Sequence, residues 1–527
     1  MKLFLAHRID VYGFSEPLYF GIFENGTSKQ LSTEEILDYP DEIITYDLKN
    51  LLSQVRHSYK GKLPIITDLG QIIKINAGRP KKSYPKGRYP WYFWNRINRD
   101  IGEAESKRIY YVIREESDHN KILSTLELLA EKLKEYYIDS IKRLEESNQL
   151  DRFSNLENKV QQILHRRQIE GIHIDLDLLN SLIAELEVNK NALIHKLRYK
   201  YNLIDLDYRA IRLYLIEKGF EISSKDYDYF NLLSFLKTAR ITSSLCKDIY
   251  NALRVKHDFE RLQQYVQDED LIYPEFDCIG TVTSRILVPY PHIQQLKREN
   301  RKIFVAKPGY SLLYCDFKQF EPGILASFCD DKAMIEMYNK QDIYSTFSEY
   351  IFGTTTLRKE AKILFLSYLY GMSNRKLIKS IEKVIKTHGL SKSTSATEFF
   401  SKFIELEKFK SIESNKAREA GYIASEYTIR RNIRKTISGK GKISEMRFVL
   451  SQIIQGTASF ILKKSILQVS KYPEIEFLIP MHDAVLYQVP KNKIEEKKSL
   501  IEACFVENFK KLCPQIIARV DFKPFEE

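Results

Sequence analysis

Residues 311–317 read SLLYCDF, and residues 477–489 read FLIPMHDAVLYQV. The first segment is an apolar run that ends at an acid, and the second consists of two apolar runs around a short polar turn. Apolar runs of this length, bounded by polar residues, are typical of buried strands. The two segments predict a strand that ends near Asp316 and a hairpin whose turn carries Asp483. Each acid would then stand at the exposed end of a hydrophobic sheet.

Two aspartates brought together at the ends of neighbouring strands suit a pair of magnesium ions. Carboxylate oxygens are the ligands that Mg²⁺ prefers. In two-metal chemistry the ions lie about 3.5–4 Å apart and stabilise both the attacking and the leaving oxygen. A single aspartate in such a place is more often a turn residue than a metal ligand, so each acid alone leaves both interpretations open.

The segment LRKEAKILFLSYLYGM, residues 357–372, predicts a helix. Arg358 and Lys362 lie one turn apart on one face of that helix. A guanidinium and an ammonium group in this arrangement form a clamp for a triphosphate, and the alternative is a solvated charged face. Gly371, directly after Tyr370, either permits the close approach of a backbone or base or simply ends the helix.

Together these segments resemble the family A DNA polymerases, the DNA polymerase I group, over about residues 150–527. Six short matches occur in the order of the family: Thr281-Val282-Thr283-Ser284-Arg285, Gln294 in PHIQQL, Asp316 to Gly323 (DFKQFEPG), Arg358 with Lys362, Tyr370 and Gly371, Gln455-Gly456-Thr457-Ala458, and Met481-His482-Asp483-Ala484. Any one match would be weak evidence. Several in the same order make a chance resemblance improbable.

The resemblance implies roles for individual residues. The metal ligands would be Asp316, Asp483 and the backbone carbonyl of Phe317, which would bind two Mg²⁺ ions, with Mn²⁺ as a substitute. Residues implied to bind the incoming nucleotide are Arg358, Lys362, Glu321, Tyr370, Leu366 and Gln319. Residues implied to bind primer or template are Arg285, Gln294, Gln455, His482, Gly371 and Thr283. Lys362 would also protonate the leaving pyrophosphate, and Glu321 with Tyr370 would disfavour a 2′-hydroxyl.

The sequence departs from the pattern of the family at several site positions. Leu366 stands where the family has an aromatic residue on the helix that contacts the nucleotide, and Phe365 faces another direction. Ala484 replaces a glutamate beside the second metal ligand, and Tyr344 occupies a position that is often histidine. These changes predict unusual nucleotide selectivity and a lower metal affinity or rate. Both implied metal ligands remain, which favours an active enzyme.

Residues 1–115 have the short apolar runs and turns of an α/β domain. They faintly resemble the proofreading exonuclease domain of the same family: Asp47 in YDLKNLL is similar to its second motif, and Asp118 to its last acid. The first motif, D-x-E, is missing, because Asp10 has no second acid after it. Arg114 stands where that family has tyrosine. The expected domain is therefore retained for structure, without proofreading. Ser117 is the predicted N-cap of the helix that follows.

The expected fold class is α+β: a right-hand polymerase with palm, fingers and thumb, preceded by a degraded RNase H-like domain of the 3′-5′ exonuclease type. The predicted boundaries are 1–149 for the exonuclease-like domain, 150–269 for the thumb, 270–329 and 451–527 for the palm, and 330–450 for the fingers.

Composition agrees with a nucleic-acid partner. The chain has 527 residues, a formal net charge of +12 and a pI of about 9.0. Such a basic excess suits a polyanion, although a Lys-rich proteome would explain it equally well. The basic aromatic stretch 79–96 and Arg430, Arg431, Arg434 and Lys435 are the predicted DNA-facing segments. The six cysteines form no CxxC pair and no disulfide framework, so neither a zinc site nor disulfides are expected.

The expected partners are a primed DNA template, deoxynucleoside triphosphates and replication accessory proteins, with a monomeric protein acting in the cytoplasm. No signal peptide and no membrane span are predicted. Three other functions stay open at this point. They are a single-subunit RNA polymerase, against which Glu321 argues; a reverse transcriptase; and a non-catalytic nucleic-acid-binding factor on a decayed polymerase fold, for which Ala484 and Leu366 give slight support.

Overall fold

The structure, a computed structural model, describes residues 1–9, 16–78, 91–222, 229–390, 395–433 and 448–526. The chain divides into two compact units. The first comprises residues 1–170, 275–287 and 309–523, and the second comprises residues 171–274, 288–308 and 524–527. None of the described helices combines the length and the apolar character that a membrane span requires. Each unit is described separately below.

The chain up to residue 170 alternates strands and helices before it becomes helical. Its elements are β1 (Leu3–His7), β2 (Tyr19–Phe23), β3 (Ser28–Leu31), α1 (Thr33–Leu37), β4 (Glu42–Thr45), α2 (Leu48–Val55), β5 (Ile65–Asp68), α3 (Leu69–Ala77), α4 (Trp91–Ile101), α5 (Glu103–Glu115), α6 (His119–Glu146), α7 (Leu150–Arg152) and α8 (Asn158–Glu170). The α/β character predicted for residues 1–115 is confirmed.

The N-terminal strands form a five-stranded sheet in the order β3-β2-β1-β4-β5. Strand β1 is antiparallel to β2 and parallel to β4, and β5 is parallel to β4. Every residue of β1 is buried, as expected for a central strand covered on both faces. The long helix α6 packs against β1 and β2 with buried residues at helical spacing, among them Ile122, Leu126 and Leu133.

Helix α6 corrects one detail of the sequence analysis. Its N-cap is Asp118, whose side chain accepts hydrogen bonds from the backbone N–H groups of Asn120 and Lys121. Ser117, the predicted cap, lies one residue too early. Serine and aspartate are both good N-caps, so the sequence alone does not choose between adjacent candidates. The acid that resembles an exonuclease residue therefore stabilises a helix end.

The second unit is mainly helical. In chain order its elements are β6 (Ile172–His173), α9 (Leu176–Tyr201), α10 (Tyr208–Glu217), α11 (Tyr229–Ala239), α12 (Ser244–Leu262) and β7 (Leu271–Ile272). Asp175 caps α9 through a bond from the N–H of Leu178, and Asn202 ends it in the left-handed conformation.

The remaining elements complete the two units. They are β8 (Glu275–Asp277), β9 (Leu287–Tyr290), β10 (Tyr310–Phe317), α13 (Phe320–Cys329), α14 (Lys332–Lys340), α15 (Ile343–Phe352), α16 (Arg358–Leu369), α17 (Asn374–His388), α18 (Ala396–Ser401), α19 (Ile404–Ala420), β11 (Tyr422–Ile423), β12 (Arg431–Asn432), α20 (Val449–Val469), β13 (Glu476–Met481), β14 (Ala484–Pro490), α21 (Ile494–Leu512) and β15 (Val520–Lys523). The predicted strand, hairpin and helix of the opening motifs are all present.

Strands β10, β13, β14 and β15 form a four-stranded sheet in the order β13-β14-β10-β15. One face of this sheet packs on helix α21, where Phe317 contacts Phe505 and Phe509. Because side chains alternate along a strand, Asp316 points to the opposite face. Gln319, with a φ of 50°, then turns the chain from β10 into α13. These two steps place an acid and a helix start at one sheet edge.

Candidate active site

The register of the four-stranded sheet brings the two predicted metal ligands together. Asp316 on β10 lies directly opposite Ala484 on β14. The backbone N–H of Phe317 donates to the carbonyl of Asp483 at 3.2 Å. A two-residue turn, His482-Asp483, joins β13 to β14, and His482 adopts a φ of 45°. Asp316 and Asp483 therefore share one end of the sheet.

The surroundings of Asp483 are acidic. Burial, followed by the charge of Glu321 and then that of Asp316, raises the pKa of Asp483 to about 7, while Arg285 and Lys362 act in the opposite direction. Asp316 accepts a hydrogen bond from Lys523 Nζ at 2.6 Å. Two partly exposed carboxylates with further oxygen ligands nearby are the kind of site that a hard cation neutralises.

Glu321, in the first turn of α13, links the sheet to helix α16. Its two carboxylate oxygens accept short hydrogen bonds, one from the guanidinium of Arg285 and one from the hydroxyl of Tyr370. Arg285 also reaches Asp483, with Nη2 at 3.5 Å from Oδ1. Burial, then the charge of Glu321, raises the pKa of the Tyr370 hydroxyl, which therefore stays neutral as a donor. The structure thus brings Glu321, Tyr370 and Arg285 into one contact group.

Helix α16 presents its two predicted phosphate-binding cations on one side. Arg358 and Lys362 both lie over the ring of Tyr344, at 5.4 Å and 5.5 Å from its centroid. Arg358 also forms a two-point ion pair with Asp342, with Nε to Oδ1 at 3.0 Å and Nη2 to Oδ2 at 2.7 Å. The carboxylate of Asp342 therefore occupies the two donors of Arg358 that the sequence analysis assigned to phosphate.

The positions that follow on α16 differ in burial. Leu366 is partly buried against the core. Phe365 is fully buried and packs against Phe347 and Phe400, with ring centroids 5.5 Å away in both cases. Phe365 therefore lies in the core of this unit and points away from Leu366, as predicted from the helix geometry. Gly371 follows the helix with a φ of 92°, a conformation that favours glycine.

Other predicted site residues have structural contacts. The Gln319 side chain accepts from the N–H of Ile343 at 2.7 Å, and so holds the start of α15. The Thr283 and Thr281 hydroxyls lie 2.9 Å apart within the turn that precedes Arg285. Gln455 is partly buried on α20. Gln294 belongs to the second unit, where its side chain accepts from the N–H of Val288 at 3.3 Å.

The predicted DNA-facing segments are only partly described, and the prediction is wrong for the end of the basic aromatic stretch, because Phe93 and Trp94 lie in helix α4 and are buried. Arg430 lies 3.8 Å from the centroid of the Tyr422 ring, and Arg431 lies 4.8 Å from that of Phe448. Arg434 and Lys435 lie outside the described residues, as do residues 79–90 of the basic aromatic stretch and Asp10 of the missing exonuclease motif.

Sequence reasoning missed Asp342 and Lys523, which contact predicted site residues. Asp342 has a local signal, since an aspartate before a helical pattern is an N-cap, and its side chain does accept from the N–H of Ser345. Lys523 has none, because its neighbour Asp316 lies 207 positions away and only the register of β10 and β15 brings them together. Among the described residues, no three His, Cys, Asp or Glu side chains group as a cation site.

The chain is similar to known proteins along its whole length. The family model described as DNA polymerase family A matches residues 232–523. DNA polymerase I of Caldicellulosiruptor bescii is 24% identical over 512 residues, which cover 90% of this chain and 56% of that protein. DNA polymerase I of Aquifex aeolicus is 23% identical over 359 residues, covering 64% of this chain and 60% of that protein. The chain thus spans about half the length of the curated relatives that it matches.

A solved structure shows the same fold. It is the POL domain of Pol1 from M. smegmatis in complex with a DNA primer-template and dNTP, with a TM-score of 0.77 and 17% sequence identity. The match covers 99% of this chain and 96% of that one. The expected α+β polymerase fold is therefore confirmed for the chain, while the boundaries of its predicted domains stay predictions.

Proposed function

The chain belongs to DNA polymerase family A, and on this premise we propose that it adds deoxynucleotides to the 3′ end of a primer on a DNA template. The observation that carries the proposal is the register of β10 and β14, which puts Asp316 and Asp483 at one sheet end beside Glu321 and Arg285. Strand ends of this kind expose acids to solvent at the edge of a packed sheet.

The donor set fits two magnesium ions. Asp316, Asp483 and the carbonyl of Phe317 offer hard oxygen ligands, and burial together with the nearby carboxylates of Glu321 and Asp316 raises the pKa of Asp483. When bound, the ions would stabilise the attacking and leaving oxygens of phosphoryl transfer. Phosphate oxygens of the nucleotide would complete the ligand set.

Arg358 and Lys362 would bind the triphosphate. A phosphate group can accept the same two parallel N–H bonds that Asp342 accepts now, so Arg358 would exchange one anion for another when nucleotide arrives. Lys362 lies one turn further along α16 and would give a proton to the leaving pyrophosphate. Tyr344, beneath both cations, would orient them without competing as an anion.

Glu321 and Tyr370 would select the sugar. Their direct hydrogen bond closes the space between α13 and the end of α16. A 2′-hydroxyl in that space would need to displace the hydroxyl of Tyr370 or leave a buried carboxylate oxygen without its donor. Deoxynucleotides impose no such cost, which supports the deoxynucleotide reaction over the RNA polymerase alternative.

We propose that the N-terminal domain does not proofread. Near the ends of β1 and β4, His7 is fully buried, and its Nε2 lies 2.8 Å from the carbonyl of Tyr46. Burial lowers the pKa of His7, so this side chain is neutral. The Tyr46 ring stacks on Phe93 with centroids 4.5 Å apart. A two-metal nuclease needs several carboxylates in register, and the end of β1 carries a buried, neutral histidine against Tyr46 and Phe93, with Asp47 next to Tyr46 as one acid of the pattern.

Primer extension with different templates and nucleotides tests the proposal. We expect extension of a DNA primer on a DNA template with dNTPs and Mg²⁺, and at least about a hundredfold lower kcat/KM with NTPs, since unpaired buried polar groups reject a mismatched substrate strongly. Preferential use of NTPs would favour an RNA polymerase, and equal use of an RNA template would favour a reverse transcriptase. Duplex binding without extension would favour a non-catalytic factor. Cytoplasmic location, a monomeric state and accessory proteins stay predictions.

A further inference from the structure

A buried ion pair lies behind the candidate active site. Glu157, at the start of α8, and Lys463, on α20, are both fully buried, and Nζ of Lys463 lies 2.5 Å from Oε2 of Glu157. The two residues are 306 positions apart in the chain. Charges without solvent exposure are costly unless every polar atom finds a partner.

Each donor of Lys463 has a partner. Besides Glu157, its ammonium donates to the carbonyl of Cys278 at 2.8 Å and to Oγ of Ser284 at 2.7 Å. An ammonium has three donors, so the set is complete. The other oxygen of Glu157 accepts from Nε of Arg152 at 3.0 Å and from Oγ of Ser284 at 2.9 Å. The pair and the Ser284 hydroxyl therefore form one closed network.

Ser284 is held in an unusual backbone conformation. Its φ is 62°, the left-handed region that a non-glycine residue rarely adopts. Its carbonyl accepts from Oγ of Ser459 at 2.6 Å, and the carbonyl of Val282, two residues earlier, accepts from Nε2 of Gln452 at 2.9 Å. Side chains on one face of α20 thus hold both the hydroxyl and the backbone of this turn.

The next residue is Arg285, which contacts Glu321 and Asp483. We propose that the Glu157–Lys463 pair is a positioning device: by holding Ser284 in its left-handed conformation, it aims Arg285 at the two acids of the site. Glu157 and Lys463 are positioning residues and not catalytic ones. The inference rests on the proposed function, since it assigns Arg285 a part in nucleotide addition.

Stability alone does not account for this network. Replacing a buried ion pair with apolar side chains of similar volume is often neutral or stabilising, so such pairs need another reason to be present. Here the hydroxyl of Ser284 is the point where both charges meet, and it belongs to the residue beside Arg285. A network with a purely structural role would not require both charges to bind the side chain of Ser284.

A double-mutant cycle tests the proposal. The proteins are the wild type, Lys463→Met, Arg285→Ala and the double variant, each measured well below its own unfolding temperature. The readouts are kcat and KM in primer extension, and the affinity for a primed DNA duplex from fluorescence anisotropy without nucleotide. Arg167→Met is the matched control, because Arg167 is a buried cation on α8 whose Nε donates to the carbonyl of Phe477 at 2.6 Å, away from Ser284.

Lys463→Met should lower kcat about tenfold and cause little further loss when Arg285 is already alanine, because residues that act through one another are not additive. Ser459→Ala, which removes one hydrogen bond and threatens the fold less, should show the same pattern with a loss of about fivefold at most. Equal losses from Lys463→Met in both backgrounds, or an equal loss from Arg167→Met, would overturn the proposal. A wild type that extends no primer would contradict the proposed function instead. In that case, coupling between Lys463 and Arg285 in duplex affinity would still support the positioning role, and additive effects would overturn it.

Discussion

At the scale of single residues, the candidate site is a set of charges that pair with one another. Arg358 pairs with Asp342, Asp316 with Lys523, and Glu321 with Arg285. The acids of the site thus serve as counterions for its cations, and these pairs are partly exposed, so each contributes little to stability. Substrate binding would then be an exchange of partners.

Asp342→Asn should strengthen nucleotide binding. Asparagine caps a helix as well as aspartate does, so α15 should keep its start, while Arg358 loses its competing anion. We expect the KM for dNTP to fall by about two- to fivefold with little change in kcat, since a partly exposed ion pair contributes up to about 1 kcal/mol. Steady-state primer extension measures both constants. Asp207→Asn, at the N-cap of α10, is the control, because the exposed Asp207 accepts only from the N–H of Arg209 through one oxygen, which asparagine keeps. A raised KM in Asp342→Asn would contradict the exchange.

Asp47→Asn should stabilise the protein at alkaline pH. Burial, followed by the charge of Asp68, raises the pKa of Asp47 to about 7 in the folded chain. An aspartate whose folded pKa is raised binds more protons in the folded state between about pH 4 and pH 7, so stability falls as the pH rises through that range. Asparagine removes this loss and tolerates the φ of 45° at this position.

The measurement is the unfolding temperature at pH 5 and pH 8. We expect Asp47→Asn to exceed the wild type at pH 8 and to approach it at pH 5, whereas Asp38→Asn, at an exposed position, should follow the wild type at both. A variant that is less stable than the wild type at pH 8 would show that the charge of Asp47 has a stabilising partner.

The residue scale also shows where sequence reasoning ends. Asp316, Asp483, Arg358 and Lys362 could be identified because each occupies a motif with fixed local spacing. The partners Lys523 and Glu157 could not, since packing brings them together with residues more than 200 positions away. Asp342 has a local N-cap signal, but that signal does not reveal its pairing with Arg358. Ion pairs over such separations leave no periodic signal in the sequence.

At the scale of elements, the pattern of apolar and polar residues predicted which segments form strands, turns and helices. The run SLLYCDF became β10, the MHDA segment became the turn between β13 and β14, and the helix from Arg358 ends at Leu369. The register of the strands could not be predicted, because either face of an apolar strand could have packed against the core. The side chain of Phe317 packs on Phe505 of α21, and this contact fixes which face of β10 is turned toward the core.

The N-cap of α6 gives a test at the element scale. Asp118→Ala should lower the free energy of unfolding by about 1 kcal/mol, because two backbone N–H groups lose their acceptor. Ser117→Ala, one residue earlier, should change it by no more than about 0.3 kcal/mol, as for other surface substitutions. Chemical denaturation measures both values. Equal losses in the two variants would show that the cap is shared.

At the scale of the whole molecule, the first unit contains both the five-stranded N-terminal sheet and the four-stranded sheet of the candidate site, and the second unit folds around its own core. The net charge of +12 agrees with a polyanionic partner but does not identify it. The fold class could be predicted from ordered motifs. The membership of residues 288–308 and 524–527 in the second unit could not, because these short segments are distant in sequence from its main segment, 171–274.

The proposed lack of proofreading is tested on a mismatched primer end. We expect the purified protein to leave a 3′ mismatch uncut over hours in the absence of dNTPs, because the region around His7 and Tyr46 is packed with aromatic side chains. A matched primer is the control for contaminating nucleases. Release of the mismatched nucleotide at a rate that follows protein concentration would contradict the proposal.

We propose that Asp316 and Asp483 form the catalytic site of a DNA polymerase, and primer extension by Asp316→Asn and Asp483→Asn tests this assignment. Asp330→Asn is the control, because Asp330 is exposed and its left-handed conformation, with a φ of 49°, suits asparagine. We predict that each site variant folds, binds a primed duplex, and loses at least about a hundredfold in kcat, as the removal of a charge-stabilising group in an active site does. The control should extend primers like the wild type. Wild-type extension rates in either site variant would contradict the assignment of Asp316 and Asp483 as the catalytic acids.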